Sequence, residues 1–413
     1  MAILAVGIEA INVYGGVAYL HVREIFEGRE LDLERFDNLM MVDKAVGLPC
    51  EDPVTNAVNA AKPIIDQLTE EEKNSIELLV VSTESGLDFG KSISTYVHDY
   101  LGLSRNCRLF EVKQACFGGT AAFQTGICYV SSEASLGAKA LIIATDTARA
   151  QCKKTYAEPT QATGAVAMLL SDKPDIFEVD LGATGSYSYE VMDTCRPLPE
   201  IELGDADLSL LSYLDCFENA YENYASKVEG ADFRTTFDYL AFHTPFAGMV
   251  KGAHRKLMRH FKGIKTKEIE ADFQKRVEPS LTFCQKIGNV YSATVYVALC
   301  GIIESAFLDD YKRIGIFSYG SGCASEFFSG LISPKSKEKL DKMKIGEHLD
   351  SRCKLTFEEY DKIVDCNVEW VFGVQNKEVD VSEFQDIYDT CFKGKGMLVL
   401  DKVEDFHRVY RWS

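Results

Sequence analysis

The residue with the clearest chemical potential is Cys116, in the segment EVKQACFGGTAAFQTGICYV (residues 111–130). It comes just before Gly118 and Gly119 and a run of small and apolar residues that predicts a buried helix. A thiol on the first turn of a helix faces unpaired backbone N–H groups and the positive end of the dipole, which lower its pKa. Such a thiolate can accept an acyl group. Taken alone, Cys116 could instead be a buried structural thiol.

Glu84 and His243 could supply the proton chemistry. Glu84 ends the apolar run LLVVSTE, where poor solvation suits a carboxylate for exchanging protons near neutral pH. His243 ends the predicted strand in YLAFHTPF, whereas the other six histidines lie in polar surroundings and are expected to be solvated. Taken singly, Glu84 could be a turn or helix N-cap carboxylate, and His243 a hydrogen-bonded core residue.

Together the three side chains fit a Claisen-type condensation. The thiol of Cys116 would carry an acetyl group, and Glu84 would remove a proton from its methyl carbon. His243 and backbone N–H groups would stabilise the oxygen charge on the electrophilic partner. The chemistry therefore predicts a carbon–carbon bond-forming acyltransferase.

Two segments with the same order of parts would position these residues. The first runs from the strand that ends at Glu84, through the Cys116 helix, to the strand KALIIATDTA; the second runs from YLAFHTPF, through the turn at Asn289 and its helix, to RIGIFSYGSG. Continuous apolar strands between helices predict an α/β fold with a parallel or mixed sheet covered on both faces. We infer a duplicated βαβ-type fold with halves at residues 1–172 and 173–413; coincidence between two generic α/β segments is the alternative.

Composition excludes several classes of protein. The chain has 413 residues and a net charge of −19, which argues against a nucleic-acid-binding face. Its 13 cysteines are scattered with no C-x-x-C pair, so we expect no metal site, a reducing cytoplasm, and core positions for Cys128 and Cys300. The apolar N-terminus has no basic leader and reads as a first strand, and no long apolar run predicts a membrane span.

Six separated motifs resemble the 3-hydroxy-3-methylglutaryl (HMG) synthases. They are EVKQACFGGT, VVSTESGLD, AFHTPFAGMVKGAHRKL, IGNVYSATVY, FSYGSGCASEFFSG and GMLVLDKVEDFHRVYRW, and they occur in the family's order from near the N-terminus to the last residues. The resemblance implies the thiolase fold, in which two duplicated halves form αβαβα layers with mixed sheets, and it implies a homodimer.

The family's residue roles can be transferred to this sequence position by position. Cys116 corresponds to the acyl-carrying nucleophile, Glu84 to the general acid/base, and His243 to the group that binds the acceptor thioester and its carbonyl. Ser321 would also offer a backbone N–H to an oxyanion. The resemblance further implies a substrate-binding and supporting set at Asn289, Ser321, Asp146, Asp193 and Tyr156.

Within the family the chain looks closer to the branch found in polyketide pathways. The details are YAEPTQATGAVAMLL (residues 156–170), SYSYEVMDTCRPLPE (residues 186–200) and a compact C-terminal half. That branch resembles β-branching enzymes, which add acetyl from one acyl carrier protein to the β-ketone of a polyketide held on another. The resemblance implies that the carrier proteins bring the phosphopantetheine and that the enzyme binds no cofactor of its own.

A cluster of cations supports a carrier-protein partner. The segment MVKGAHRKLMRHFKG places four of its five cations at i, i+4, i+8 and i+11, which predicts one stripe of a helix close after His243. Carrier proteins present an acidic helix beside their attachment serine, so complementary charge is expected there. A solvated basic helix and a contact to the phosphates of coenzyme A are the alternatives. The predicted docking residues are Lys251, Arg255, Lys256, Arg259 and Lys262.

Three rival functions remain at this stage. An HMG-CoA synthase of mevalonate metabolism would use acetyl-CoA and acetoacetyl-CoA. A ketosynthase would generate its carbanion by decarboxylation and would not need the carboxylate of Glu84. An inactive structural partner of a condensing enzyme would be expected to lack the thiol, whereas Cys116 is present.

Overall fold

The structure is a computed structural model, and it describes residues 5–148, 152–155, 157–198, 201–367 and 372–413. The strands in these ranges are β1 Gly7–Tyr14, β2 Ala18–His21, β3 Asp43–Val46, β4 Ile76–Ser82, β5 Arg108–Val112, β6 Lys139–Asp146, β7 Gly164–Ser171, β8 Phe177–Ser188, β9 Thr194–Leu198, β10 Ile201–Gly204, β11 Tyr239–Phe242, β12 Lys312–Gly320, β13 Ala324–Ile332, β14 Cys353–Lys354, β15 Lys377–Glu378, β16 Leu398–Glu404 and β17 His407–Trp412.

Helices connect and cover these strands. They are α1 Val22–Gly28, α2 Leu33–Leu39, α3 Pro53–Ile65, α4 Glu70–Asn74, α5 Ser94–Tyr100, α6 Gly118–Val130, α7 Ala206–Lys227, α8 Ala247–Met258, α9 Thr266–Arg276, α10 Leu281–Ile287, α11 Thr294–Ser305, α12 Pro334–Asp341, α13 Ile345–Asp350, α14 Phe357–Asn367 and α15 Gln385–Cys391. A 3-10 turn at Tyr291–Ala293 leads into α11.

The central sheet is mixed and repeats the same pairing in its two halves. Its strand order is β11-β12-β13-β8-β1-β7-β6-β4-β5. In one half β4 is parallel to β6, which is antiparallel to β7. In the other half β11 is parallel to β12, which is antiparallel to β13. The halves join where β1 meets β8, so the predicted duplicated fold with mixed sheets is confirmed.

Three apolar cores separate the layers. The middle core contains buried side chains of α6 and α11 together with residues from both halves of the sheet. One outer core lies between α3 and the first half, and the other lies between α7 and the second half. The two halves of the sheet form separate layers, so the order of layers is helix, first half of the sheet, helices, second half of the sheet, helix. Ten residues of α11 are buried, as expected for a helix in the centre of the molecule.

Two expectations about individual side chains were wrong. Cys300 is buried in the core, but Cys128 is exposed because it lies on the outer side of α6. His254, expected to be solvated, is fully buried on α8, and its Nε2 lies 2.7 Å from Asp272 Oδ2. In both cases the side of the helix, and not the polarity of its sequence neighbours, decides the exposure.

The carboxyl ends of several strands bring the predicted site residues to one edge of the sheet. Glu84 follows β4 by two residues, His243 comes directly after β11, and Ser321 comes directly after β12. Asp146 is the last residue of β6. Ligands of α/β proteins bind at such strand ends, beside the N-termini of helices. Within the described ranges, no helix combines the length and the apolar composition needed to cross a bilayer.

Candidate active site

Cys116 lies in a sharp turn between β5 and α6. Ala115 adopts a left-handed conformation with φ of 44°, and the amide N–H of Phe117 donates to the carbonyl of Gln114 over 3.1 Å. Helix α6 begins at Gly118, so the thiol precedes the helix and does not lie on its first turn as predicted. The Cys116 thiol is directed at Glu84, with 3.4 Å between Sγ and Oε1.

The expected lowering of the Cys116 pKa was wrong. Burial raises the pKa of this thiol well above its usual value, and the nearby carboxylates of Glu84 and Asp146 raise it further. The cation of Arg196 acts in the opposite direction but is the weaker influence. The resting site therefore holds a protonated thiol that donates a hydrogen bond to a carboxylate.

The glycine pair after Cys116 allows α6 to approach its neighbours closely. A methyl group at position 118 would lie 2.5 Å from Ser82 Oγ, and one at position 119 would lie 2.5 Å from the carbonyl oxygen of Ser292. Both distances are too short for a carbon atom. The pair thus holds the thiol turn against the end of β4 and against the turn that precedes α11.

Asp146 anchors the backbone around Glu84. Its Oδ1 accepts hydrogen bonds from Thr83 Oγ1 over 3.0 Å, from the Glu84 amide over 2.8 Å and from Ser85 Oγ over 2.8 Å. Asp146 has no exposed surface. It therefore supports the strand end that carries Glu84 and has no surface to offer a substrate.

Arg196, which was not identified from the sequence, forms an ion pair with Glu84. Its Nη2 lies 2.5 Å from Glu84 Oε2, and its Nη1 donates to the backbone carbonyl of Glu84 over 3.1 Å. Its Nε donates to Glu202 Oε2 over 2.7 Å. No periodicity or motif indicated Arg196, because its contact with Glu84 depends on where the β9–β10 hairpin lies over the site.

His243 occupies a neutral pocket. Its side chain is buried, and its Nδ1 has no hydrogen-bond partner among the described residues. Burial lowers the pKa of the imidazole to about 3, so the ring is uncharged at neutral pH. Its backbone is held at both ends: its amide donates to the carbonyl of Phe317 over 2.7 Å, and its carbonyl accepts from Tyr213 OH over 2.7 Å.

Asn289 organises the turn at the start of α11. Its Oδ1 accepts hydrogen bonds from the Tyr291 amide over 2.9 Å and from Thr294 Oγ1 over 3.1 Å. Its own amide donates to the carbonyl of Thr160 over 2.7 Å. Since Ser292 in the same turn lies against Gly119, the structure places the Asn289 turn beside the thiol turn.

Asp193 holds the turn that contains Ser321. Its Oδ1 accepts from the Gly322 amide over 2.9 Å, and its Oδ2 accepts from Tyr319 OH over 3.0 Å. A methyl group at Gly320 would lie 2.4 Å from the amide nitrogen of Phe117, so this turn packs directly against the thiol turn. Asp193 is fully buried and is a support like Asp146. Tyr156 lies outside the described residues.

The basic residues do not form the single stripe that was predicted. Helix α8 ends at Met258, so Arg259 caps it and Lys262 lies beyond it. Lys251 and Lys256 are paired, at 2.6 Å from Glu270 and 2.9 Å from Glu218, and Arg255 lies 3.9 Å from Glu270. Arg259 and Lys262 are exposed, and neither has an ion-pair partner in the described part of the chain.

The described ranges contain no cluster of three or more histidine, cysteine or acidic side chains arranged to hold a metal ion. What the strand ends gather is a thiol, a carboxylate and a neutral imidazole, with an asparagine turn and a glycine-rich turn packed beside the thiol. This set, on a duplicated five-layered fold, defines a condensing enzyme of the thiolase-like class.

Comparisons with known proteins identify the family. The models for the N-terminal and C-terminal parts of hydroxymethylglutaryl-coenzyme A synthase match residues 4–175 and 261–411. The chain is 51% identical over 418 residues to the polyketide biosynthesis 3-hydroxy-3-methylglutaryl-ACP synthase PksG of Bacillus subtilis (strain 168), with 99% of both chains covered. It therefore belongs to the HMG synthase family.

Solved structures agree with this assignment. The HMG synthase of the curacin biosynthetic pathway, in complex with apo donor-ACP, matches with a TM-score of 0.96 and 53% identity, over 99% of this chain and 100% of that chain. In sequence, the hydroxymethylglutaryl-CoA synthase of Enterococcus faecalis is a more distant relative. It is 31% identical over 361 residues, which cover 87% of this chain and 91% of that protein.

Proposed function

We propose that this protein is an HMG synthase-like acyltransferase of polyketide β-branching. It takes acetyl from an acyl carrier protein onto Cys116 and condenses it with the β-ketone of a polyketide on a second carrier protein. The product is an HMG-type branched thioester. The observation that carries the proposal is the 3.4 Å contact between the Cys116 thiol and Glu84, enclosed by the Asn289 and Ser321 turns.

The first step is thioester exchange. The sulfur of Cys116 attacks the acetyl thioester, and the proton of the thiol ends on the sulfur of the departing phosphopantetheine. This exchange consumes and releases no net proton. The acetyl group then lies on the sulfur that faces Glu84 Oε1, which places its methyl carbon within reach of that oxygen.

The second step forms the carbon–carbon bond. Glu84 takes a proton from the acetyl methyl group, and the resulting carbanion attacks the β-carbonyl carbon of the acceptor. His243, being neutral, donates an N–H to the acceptor oxygen, and the backbone of the Ser321 turn offers a further donor. The alkoxide takes up the proton from Glu84, and water then cleaves the thioester to Cys116 and restores the thiol.

Carrier proteins are the proposed source of both thioesters, and they would bring the phosphopantetheine with them. The relatives at about half identity include a synthase named for ACP and a synthase solved with a donor ACP. The basic residues of α8 and its C-terminal end, Lys251 to Lys262, are the proposed docking surface. We further propose that the two halves are residues 1–172 and 173–413, that the protein is a homodimer, and that it is located in the cytoplasm.

The test is to incubate the protein with acetyl on a carrier protein or on coenzyme A and to follow its intact mass. We expect a gain of one acetyl group from the carrier-bound donor, and then a condensed product on a carrier protein loaded with acetoacetate. Equal use of acetyl-CoA and the carrier-bound donor would favour the primary-metabolism function. Consumption of a malonyl thioester with release of carbon dioxide would favour a ketosynthase.

A further inference from the structure

The guanidinium of Arg196 contacts both the side-chain carboxylate and the backbone carbonyl of Glu84. One terminal nitrogen of the guanidinium lies 2.5 Å from Glu84 Oε2, and the other donates to the Glu84 carbonyl over 3.1 Å. The Arg196 side chain is only 16% exposed, and that of Glu84 is 12% exposed. Such a largely buried, charge-assisted contact is strong and directional because the guanidinium is a planar fork of donors.

The two oxygens of Glu84 consequently face different partners. Oε2 is bound to Arg196, whereas Oε1 is directed at the sulfur of Cys116 over 3.4 Å. The two oxygens are chemically equivalent, so what the contact with Arg196 fixes is the orientation of the carboxylate plane. In that orientation one oxygen is always directed at the thiol.

Glu202 fixes Arg196 from the opposite side. The two residues lie on neighbouring strands of the β9–β10 hairpin, and Arg196 Nε donates to Glu202 Oε2 over 2.7 Å. The guanidinium carbon also lies 5.6 Å from the centre of the Tyr291 ring, in a cation–π contact. All three nitrogens of the guanidinium are therefore engaged, and its orientation is determined.

A hydrogen-bond chain links this pair to the second half of the site. Gln161 Nε2 donates to Glu202 Oε1 over 3.2 Å, and Gln161 Oε1 accepts from Tyr291 OH over 2.8 Å. Tyr291 belongs to the turn that Asn289 organises. The hairpin that orients Glu84 is thereby connected to the turn beside the acceptor side of the site.

We propose that Arg196, fixed by Glu202, is a positioning residue for the condensation step, which it serves by holding the carboxyl group of Glu84 with Oε1 directed at the acetyl group on Cys116. This inference rests on the proposed function and names a further residue of the same site. Acetyl loading has little need of this contact because thioester exchange is proton-neutral. Methyl deprotonation needs it, because a misplaced base can cost a factor of about 10² in rate.

The experiment compares Arg196→Met, Arg196→Lys and Glu202→Gln with the unmodified protein in separate loading and condensation assays. For Arg196→Met we expect acetyl loading within about threefold of normal and condensation slower by a factor of about 10². The loss should appear in kcat and not in the KM for the acceptor. Arg196→Lys and Glu202→Gln should condense at rates between those of Arg196→Met and the unmodified protein. The lysine keeps the charge without the planar fork of donors, and Glu202→Gln keeps the guanidinium but removes the charge that fixes it.

Chemical rescue and the separation of kcat from KM distinguish positioning from a general structural defect. Added guanidinium at a non-denaturing concentration should restore part of the activity of Arg196→Ala. The control is Arg313→Met, which breaks a more exposed arginine–aspartate pair outside the site, 2.9 Å from Asp180, at the start of β12.

The outcomes separate this inference from the proposed function. If the unmodified protein neither loads nor condenses, the proposed function fails. If it does both and Arg196→Met condenses at the same rate, the positioning role is wrong while the function stands. Equal loss of loading and condensation in Arg196→Met would also overturn the positioning role. If Arg196→Met does not fold, the same criteria apply to Arg196→Lys, which retains the charge.

Discussion

The two halves of the molecule place the same parts in the same order but present different chemistry. In the first half β4, α6 and β6 gather Cys116 and Glu84 with Asp146, and Arg196 reaches this group from the β9–β10 hairpin of the second half. In the second half β11, α11 and β12 present the uncharged His243 and Asn289. The reacting groups of the first half thus lie among charged side chains, whereas His243 and Asn289 of the second half are uncharged.

This difference matches the two tasks of a condensation. Removing a proton from a methyl group requires a fixed base, and the charged contacts around Glu84 provide the means of fixing it. Binding a carbonyl requires a hydrogen-bond donor that does not itself take up the substrate's proton, and a neutral buried imidazole is suited to that. The two halves share the same fold, but the residues at their strand ends differ. Those of the first half act on the acetyl donor, and those of the second half act on the acceptor.

The largest expected effect is loss of the nucleophile from the charged half. Cys116→Ala should abolish acetyl loading because no other thiol occupies the turn before α6. Intact-mass measurement after incubation with an acetylated carrier protein checks this. Cys300→Ala, in the core, should still load acetyl and show only reduced stability. An acetyl adduct on the Cys116→Ala protein would contradict the assignment.

A smaller effect is expected when the base alone is removed. Glu84→Gln should still load acetyl on Cys116, because the thiol proton passes to the departing phosphopantetheine sulfur and does not have to end on the carboxylate. Its condensation rate should fall by a factor of about 10² to 10⁴, the usual contribution of a positioned general base. Single-turnover assays of loading and of condensation, run on the same preparation, measure both. Near-normal condensation would be incompatible with the mechanism.

The neutral half should govern use of the acceptor. His243→Ala should load acetyl normally, and its condensation should fall by a factor of about 10² or more because a donor to the developing oxygen charge is lost. The loading assay serves as the internal control. If His243→Ala loads poorly but condenses normally once acetylated, His243 acts on the acetyl donor and not on the acceptor.

Acid sensitivity offers a test of the neutral state of His243. Its pKa is about 3 in the folded protein, below that of an unfolded histidine, about 6.5. The unfolded state therefore binds a proton more readily, and the free energy of unfolding falls as the pH decreases from about 6.5 towards 3. The slope for one such group approaches about 1.4 kcal/mol per pH unit.

We expect His243→Asn to lose less stability than the unmodified protein between pH 6.5 and 4.5, by about 2 kcal/mol. Urea unfolding at a series of pH values measures this difference. His260→Asn, which alters a half-exposed histidine 3.0 Å from Glu218, is the comparison variant. Identical acid dependence in the His243→Asn and unmodified proteins would mean that burial does not lower the pKa of the imidazole.

The smallest effect concerns the docking surface beside the neutral half. Reversing Arg259 and Lys262 to Glu should weaken binding of the donor carrier protein by roughly 2- to 30-fold, since exposed pairs contribute about 0.2–1 kcal/mol each. Turnover with acetyl-pantetheine should be unchanged, and the loss should be larger at low salt. Equal loss with both donors would show that these cations do not act in docking.

The matched control reverses Lys342 and Lys395, two exposed lysines far along the chain from α8. It changes the net charge by the same amount. If the control weakens carrier binding as much as the α8 reversal does, the attraction reflects the overall charge of the protein, and no particular surface.

Much of the architecture could be predicted because strands and helices follow local patterns of apolar residues. Apolar runs located β4, β6, β11 and β12 to within a few residues, and the helical spacing of apolar residues located α11. Glu84 and His243 lie at the strand ends where they were predicted, whereas Cys116 lies in the turn before α6 and not on its first turn. Helix ends were harder: the stripe through Lys262 was wrong because α8 stops at Met258, where no charge pattern changes.

The sequence by itself determined the strands, the helices, the duplication and the residue types at the site. Only the tertiary structure decided how the site is charged. Arg196 and Glu84 are 112 positions apart and meet because the β9–β10 hairpin lies over the end of β4. Burial, together with the nearby carboxylates of Glu84 and Asp146, raises the pKa of the Cys116 thiol and keeps it protonated, against the expectation from its helix. Periodicity follows from local backbone geometry, whereas pKa values follow from burial and from charges that only the folded chain brings together.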